Sequence, residues 1–202
     1  MQNKILINKL KDNAELAMAA YGYFHLADSK YDFNKDEIDK RRLKEFRKRK
    51  DDEFNVSLYP TPTDILNIEY KYFKDENDKP QDSWYHKHFL DGDFTPTQAK
   101  RFFSRYDLLI HQPNTESGFS ATLFGEKRKQ RNTESKAIQY TSEYGYINYI
   151  LAIRGTEPLN RGDIGADTKL ALGNLPKKQH LDMLLFYNQC NKKYSFLCRK
   201  RF

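Results

Sequence analysis

Residues 149–157 read Tyr149-Ile150-Leu151-Ala152-Ile153-Arg154-Gly155-Thr156-Glu157, an apolar run that passes at once into a charged turn. Four successive apolar side chains, Ile150 to Ile153, suit a strand buried on both faces of a sheet. Gly155 lets the backbone turn sharply where that strand ends. Thr156 then offers a backbone N–H and a hydroxyl at the sheet edge. Open α/β folds present their reaction centres at such strand-to-loop transitions. Acyl transfer needs donors of this kind for the oxyanion of its transition state. The plainer reading is an ordinary strand-to-loop turn.

Two further strands are predicted upstream, over 106–112 and 118–124, with the Arg-Gly-Thr strand itself spanning 146–153. Between the last two lies a long charged loop, 125–145, containing Glu126-Lys127-Arg128-Lys129-Gln130-Arg131. A surface insertion of that length costs little entropy. Thr95-Pro96-Thr97-Gln98 carries the signals of a helix start, with Thr95 as cap, Pro96 in the first position and Gln98 at the capping-box position. That helix should end by Tyr106. After the break at Gly173-Asn174-Leu175-Pro176, a last helix is predicted from Lys177 to Cys190, with Leu181, Leu184 and Leu185 on one side.

The first 90 residues read differently. Leu6, Leu10, Ala14, Ala17, Tyr21 and Phe24 recur every three or four positions, so an N-terminal helix is expected to pack that face on the body. Residues 34–53 are dominated by charge, with Lys40-Arg41-Arg42 and Arg47-Lys48-Arg49-Lys50 over a thin stripe of Ile38, Leu43 and Phe46. A solvated helix is expected there. Tyr59-Pro60-Thr61-Pro62-Thr63-Asp64 breaks regular structure, and residues 65–73 suit helix or strand equally. Trp84, Phe89 and Leu90 should return to the core. The expected division is a helical, charged extension over 1–90 and an α/β domain over 91–202.

The segment from Thr95 to about Cys190 resembles the N-terminal half of the class 3 lipase (triacylglycerol lipase-like) catalytic domain, an α/β-hydrolase family with bacterial members. The resembling residues are Ser117-Gly118-Phe119-Ser120-Ala121-Thr122-Leu123-Phe124, then Ala152-Ile153-Arg154-Gly155-Thr156-Glu157, then Asp163 and Ala166-Asp167. The resemblance implies an incomplete α/β-hydrolase-like sheet with flanking helices, a lipid or ester substrate, and Thr156 as an oxyanion-hole residue. Asp167 falls on the family's Ala-Asp pair and is read as structural. Arg154 is expected to order the loop through Asp163 or Asp167.

The family's next elements are a strand, G-x-S-x-G, an acid and a histidine. This chain holds no G-x-S-x-G. Gly118-Phe119-Ser120-Ala121-Thr122 lacks the second glycine and precedes the Arg-Gly-Thr strand. Ser195 lacks flanking glycines, and His180 reads as a surface helix residue. The chain is therefore expected to be a truncated lipase- or phospholipase-like product without catalytic residues, and inactive by itself.

A net charge of +7 from 35 basic and 28 acidic residues supports an alternative reading. In it, the basic segments at 40–50 and 126–131 bind an anionic membrane surface or nucleic acid. Only Phe46 interleaves the first segment, which suits base stacking poorly, so nucleic acid is not the expected partner. Cys190 and Cys198, without a paired His motif, do not make a zinc site. No metal or cofactor is expected. With no signal peptide and no apolar run of about 20 residues, the cytoplasm is the default compartment, with signal-independent export left open.

Overall fold

The computed structural model describes residues 2–33, 36–77, 79, 89–131, 138–155 and 176–194. The chain divides into two compact units, Met1–Arg105 and Tyr106–Phe202.

The first unit is built on helices. Helix α1 (Gln2–Ala19) buries Leu16 and Ala19, whereas Leu6 and Leu10 stay exposed. The face that packs is thus not the one that apolar spacing selects. Its inward residues include Asp12 and Glu15, which the last helix of the unit, α4 (Pro96–Arg105), holds by charge. The Arg105 guanidinium donates to both Asp12 carboxylate oxygens, at 2.7 and 2.8 Å, and Arg101 pairs with Glu15. Such forked arginine–carboxylate contacts fix orientation as well as energy, and here they outweigh a modest apolar stripe.

Helix α2 (Glu37–Arg49) starts on Asp36, whose side chain accepts from the Ile38 N–H, and buries Leu43 and Phe46. Helix α3 (Pro62–Leu66) is short and closed by a reciprocal capping box between Thr61 and Asp64. A 3₁₀ turn, Ile68–Tyr70, follows it, so the ambiguous stretch at 65–73 is neither a long helix nor a strand. Helix α4 begins as its sequence requires. The Gln98 N–H donates to the Thr95 hydroxyl and the Thr95 N–H to the Gln98 side chain, at 3.3 and 3.0 Å. Phe89 and Leu90 are fully buried, and Trp84 lies outside the described residues. Gly92 packs so closely on the α3 C-terminus that a Cβ would collide with backbone atoms of Ile65 and Leu66. That approach allows a bridge in which the Phe94 N–H donates to Leu66 O and the Ile68 N–H to Phe94 O.

The second unit contains five described strands: β1 (Tyr106–Gln112), β2 (Ala121–Glu126), β3 (Arg128–Arg131), β4 (Ile138–Thr141) and β5 (Asn148–Ile153). Strands β1, β2 and β5 form one sheet in that order, and β3 and β4 pair as a separate hairpin. Every one of these pairings is antiparallel. The architecture is mixed helix and sheet, but these small antiparallel sheets do not form an α/β-hydrolase fold, which corrects the expected hydrolase-like sheet. The reason lies in the connections. Parallel neighbours need crossovers of a dozen or more residues, usually helical. Only residues 113–120 join β1 to β2, and their two strands therefore turn back on each other. The charged loop expected at 125–145 also contains structure, the β3–β4 hairpin.

Strand β2 is central and buried along its whole length. One of its faces contributes Ala121 and Leu123 to a cluster with Phe119, Phe186 and Cys190, ringed by Leu109, Ile110, Tyr149, Leu151, Met183 and Tyr194. The pairing shifts between Leu108 and Ile110, so Leu109 is an extra residue on β1. Helix α5 (Lys177–Tyr194) covers this face through Met183, Phe186, Cys190 and Tyr194. Leu181, Leu184 and Leu185, on one side of the helix, are exposed. Polar contacts hold both ends of α5. Ser117 donates to Asp182 at 2.6 Å, Lys178 to Glu116 at 2.8 Å, and the Tyr194 hydroxyl to Leu109 O at 3.3 Å.

Candidate functional site

The site suggested by sequence begins where β5 ends. Its ladder with β2 runs from Asn148 opposite Glu126 to Ile153 opposite Ala121. The pairing extends one residue further, since the Arg154 N–H donates to Ser120 O at 2.9 Å. Arg154 is buried, and Gly155 after it is exposed. The strand thus delivers the chain to the surface within two residues. Thr156, Asp163 and Asp167 lie outside the described residues, as do any contacts of Arg154 with those carboxylates. Among the described strands of its sheet, β5 is at the edge.

The hydroxyl groups near this turn are engaged in structure. Ser120 is 1% exposed and donates to Gln112 O at 2.9 Å, which closes the loop between β1 and β2. Ser117 lies 2.9 Å from the Thr115 hydroxyl and donates to Asp182. This Thr115–Ser117–Asp182 clasp has no counterpart in the sequence reading, because a lone Ser and an Asp 65 positions apart carry no local pattern. The His111 Nδ1 is 2.9 Å from the Thr122 hydroxyl on the neighbouring strand. His180 is exposed on the first turn of α5. Cys190 is fully buried, and burial pushes its thiol up to about 11, so it is protonated at neutral pH.

At the other end of β2, Tyr146 donates to an Asp107 carboxylate oxygen at 3.0 Å, and Lys127 pairs with the other oxygen at 2.8 Å. Burial and then the Asp107 carboxylate push the Tyr146 phenol up to about 12. Gly125 admits this ring, because a Cβ there would lie 2.6 Å from a Tyr146 ring carbon.

Most of the basic side chains at 40–50 are engaged by groups of their own unit, although only Arg42 is buried. Arg42 donates to Asp39 at 2.7 Å and lies 3.9 Å over the Tyr23 ring. Arg47 donates to Val56 O and Leu58 O, and Arg49 to Glu69 O and Tyr72 O. Arg41 lies over Phe73, and Lys50 pairs with Asp64. These side chains tie the irregular stretch from 54 to 73 onto the helix. A buried polar group joins them: His25 Nε2 stands 3.1 Å from Asp39, and Tyr31 reaches the same carboxylate.

Among the described residues, no helix is long and apolar enough to cross a membrane, and no group of three or more His, Cys, Asp or Glu is gathered for a metal. No family model, curated protein or solved structure matches the chain.

Proposed function

We propose that the chain is lipase-like, related to the serine carboxylic-ester hydrolases, and that its part in that chemistry is the turn after β5. In this reading the N–H and hydroxyl of Thr156 stabilise the oxyanion of an ester undergoing acyl transfer. Arg154 orders the loop, with Asp163 and Asp167 as its partners. The single observation that carries the reading is the β5 terminus: a paired strand, a buried Arg154 held to Ser120 O, and Gly155 at the surface immediately before Thr156. The reading rests on this local strand and turn, with the quoted motif residues, and not on the arrangement of the sheet.

The chain is inactive as an esterase in this account. It holds no G-x-S-x-G serine, and Ser120 and Ser117 are committed to Gln112 O and Asp182. An alkylphosphonate imitates the tetrahedral oxyanion without requiring a nucleophile. Titration of ¹⁵N-labelled protein with n-octylphosphonate is expected to shift the Gly155 and Thr156 amide resonances in a saturable way. Thr156→Pro, which removes the N–H, should abolish saturation. No shift at these amides, or turnover of a p-nitrophenyl ester that survives Thr156→Pro, would refute the assignment.

A further inference from the structure

We propose that the β3–β4 hairpin is a docking surface for an anionic lipid bilayer. Its register assigns the faces. Lys129 stands opposite Tyr140 and Arg131 opposite Ile138, whereas Arg128 faces Thr141 and Gln130 faces Gln139. Directly opposed residues of an antiparallel pair project to the same side, and neighbours along a strand alternate. One face of the hairpin therefore carries Lys129, Arg131, Tyr140 and Ile138 together. All four β3 side chains are exposed, and Ile138 is 54% exposed.

Two cations beside an aliphatic and a phenolic side chain form the combination that suits a bilayer interface. Cations meet the phosphate layer, an aliphatic group enters the acyl boundary, and tyrosine settles between them. The segment that returns to β5 adds Tyr144 and Ile147, 66% and 42% exposed. The described residues of 128–147 carry Arg128, Lys129 and Arg131 against Glu143, a net positive strip. Among the described residues, no ion pair engages Arg128, Lys129 or Arg131. Lys127, by contrast, pairs with Asp107 and fixes the base of the hairpin to β1.

The other basic segment is engaged differently. The arginines of α2 are bonded to carbonyls or stacked on rings of their own unit. Nucleic acid would use the cations but would gain nothing from Ile138, and duplex binding would leave that residue in water. The proposal goes beyond the ester-hydrolase reading and does not rest on it. The phosphonate titration and vesicle binding fail separately.

The test is co-sedimentation of the full chain with large vesicles. Binding is expected to vesicles containing about 30 mol% phosphatidylserine and not to pure phosphatidylcholine, with strong loss in about 0.5 M salt. Each cation near an anionic surface is worth roughly fivefold in affinity, so Lys129→Gln with Arg131→Gln should weaken binding roughly 30-fold. Ile138→Ser should weaken it several-fold at unchanged charge. The exposed α2 control, Lys44→Gln with Lys48→Gln, should bind like the parent. Because these positions are exposed, circular dichroism of every variant should match the parent. Failure to bind anionic vesicles, equal loss in the α2 control, or tighter retention on duplex DNA that is indifferent to Ile138→Ser would overturn the assignment.

Discussion

Removing the charge of Asp39 tests whether the first unit is organised around a buried ionic centre. Asp39 and Arg42 are 2% and 4% exposed, and the two are joined at 2.7 Å. His25, also buried, reaches the second carboxylate oxygen at 3.1 Å. In Asp39→Asn the Arg42 guanidinium stays in place without its counter-ion. Taking one partner from a buried pair costs about 3–5 kcal/mol, much of it the desolvation of the charge left behind. With a urea dependence of about 2 kcal/mol per molar, the midpoint for the unit should fall by roughly 2 M. Far-UV circular dichroism at pH 7 reports this directly, since the described helices are concentrated in residues 1–105. In the double variant Asp39→Asn, Arg42→Met the loss should be smaller than the sum of the single losses by about 1–3 kcal/mol. The pH dependence supplies a second readout. Burial alone would push the Asp39 carboxyl up, but hydrogen bonds and charge from His25 and Arg42 outweigh it and hold the group below its ordinary value of 3.8. A depressed folded pKa means that its stability contribution is complete above the unfolded value and is lost as pH falls through the folded one. The difference between parent and Asp39→Asn should therefore shrink as pH drops below the ordinary value of the carboxyl. An Asn variant whose midpoint matches the parent at pH 7, or a gap that does not narrow in acid, would refute the ionic centre.

Other perturbations address other joints. Arg49→Ala removes donors to Glu69 O and Tyr72 O and a cation 4.7 Å from the Phe89 ring, and should destabilise the first unit by about 2–3 kcal/mol in urea titrations. Arg49→Lys should recover little, because an ammonium cannot reproduce the fork. Gly125→Ala drives a methyl into the Tyr146 ring, which Asp107 anchors, and should cost about 1–3 kcal/mol by the same measurement. In a Cys198→Ser background, Cys190 should resist a thiol reagent at pH 8 until denaturant is added. Prompt labelling of the native protein would contradict the packing of α5 on β2.

Local chemistry was the part of this fold most readable from residues alone. The start of α4 was legible because Thr95, Pro96 and Gln98 state a cap within four positions, and β1 was legible as the apolar run Leu108-Leu109-Ile110 after that helix. The faces of α1 and α5 were not. On α1 the inward side is chosen by Asp12 and Glu15, whose arginine partners lie 93 and 86 positions away. On α5, Leu181, Leu184 and Leu185 are larger in number than the buried pair Phe186 and Cys190. Apolar counting therefore does not select the inward side, while the clasp of Asp182 by Ser117 holds the helix from a distance. The strand that leads to Thr156 was visible in sequence for the same local reason as α4. Its antiparallel company was not, because strand direction depends on connections rather than on side-chain pattern.

The basic residues show how far charge can mislead when read as a surface property. A run such as Arg47-Lys48-Arg49-Lys50 counts as four cations in any sequence window, and on that count α2 and the hairpin look alike. Their surroundings separate them. The stretch from 54 to 73 has only a short helix and a 3₁₀ turn, so several of its carbonyls lack partners within regular structure. Arginine is suited to satisfy them, since one guanidinium can serve two carbonyls while its face lies on a ring. Arg47 and Arg49 each do so. The β3 strand faces a different circumstance: β4 pairs along one of its edges, and among the described residues no ion pair engages Arg128, Lys129 or Arg131. Among the described residues that charge is left to a partner outside the strand, which is what the vesicle assay reads. That is why the two basic segments have opposite expectations in the same vesicle assay.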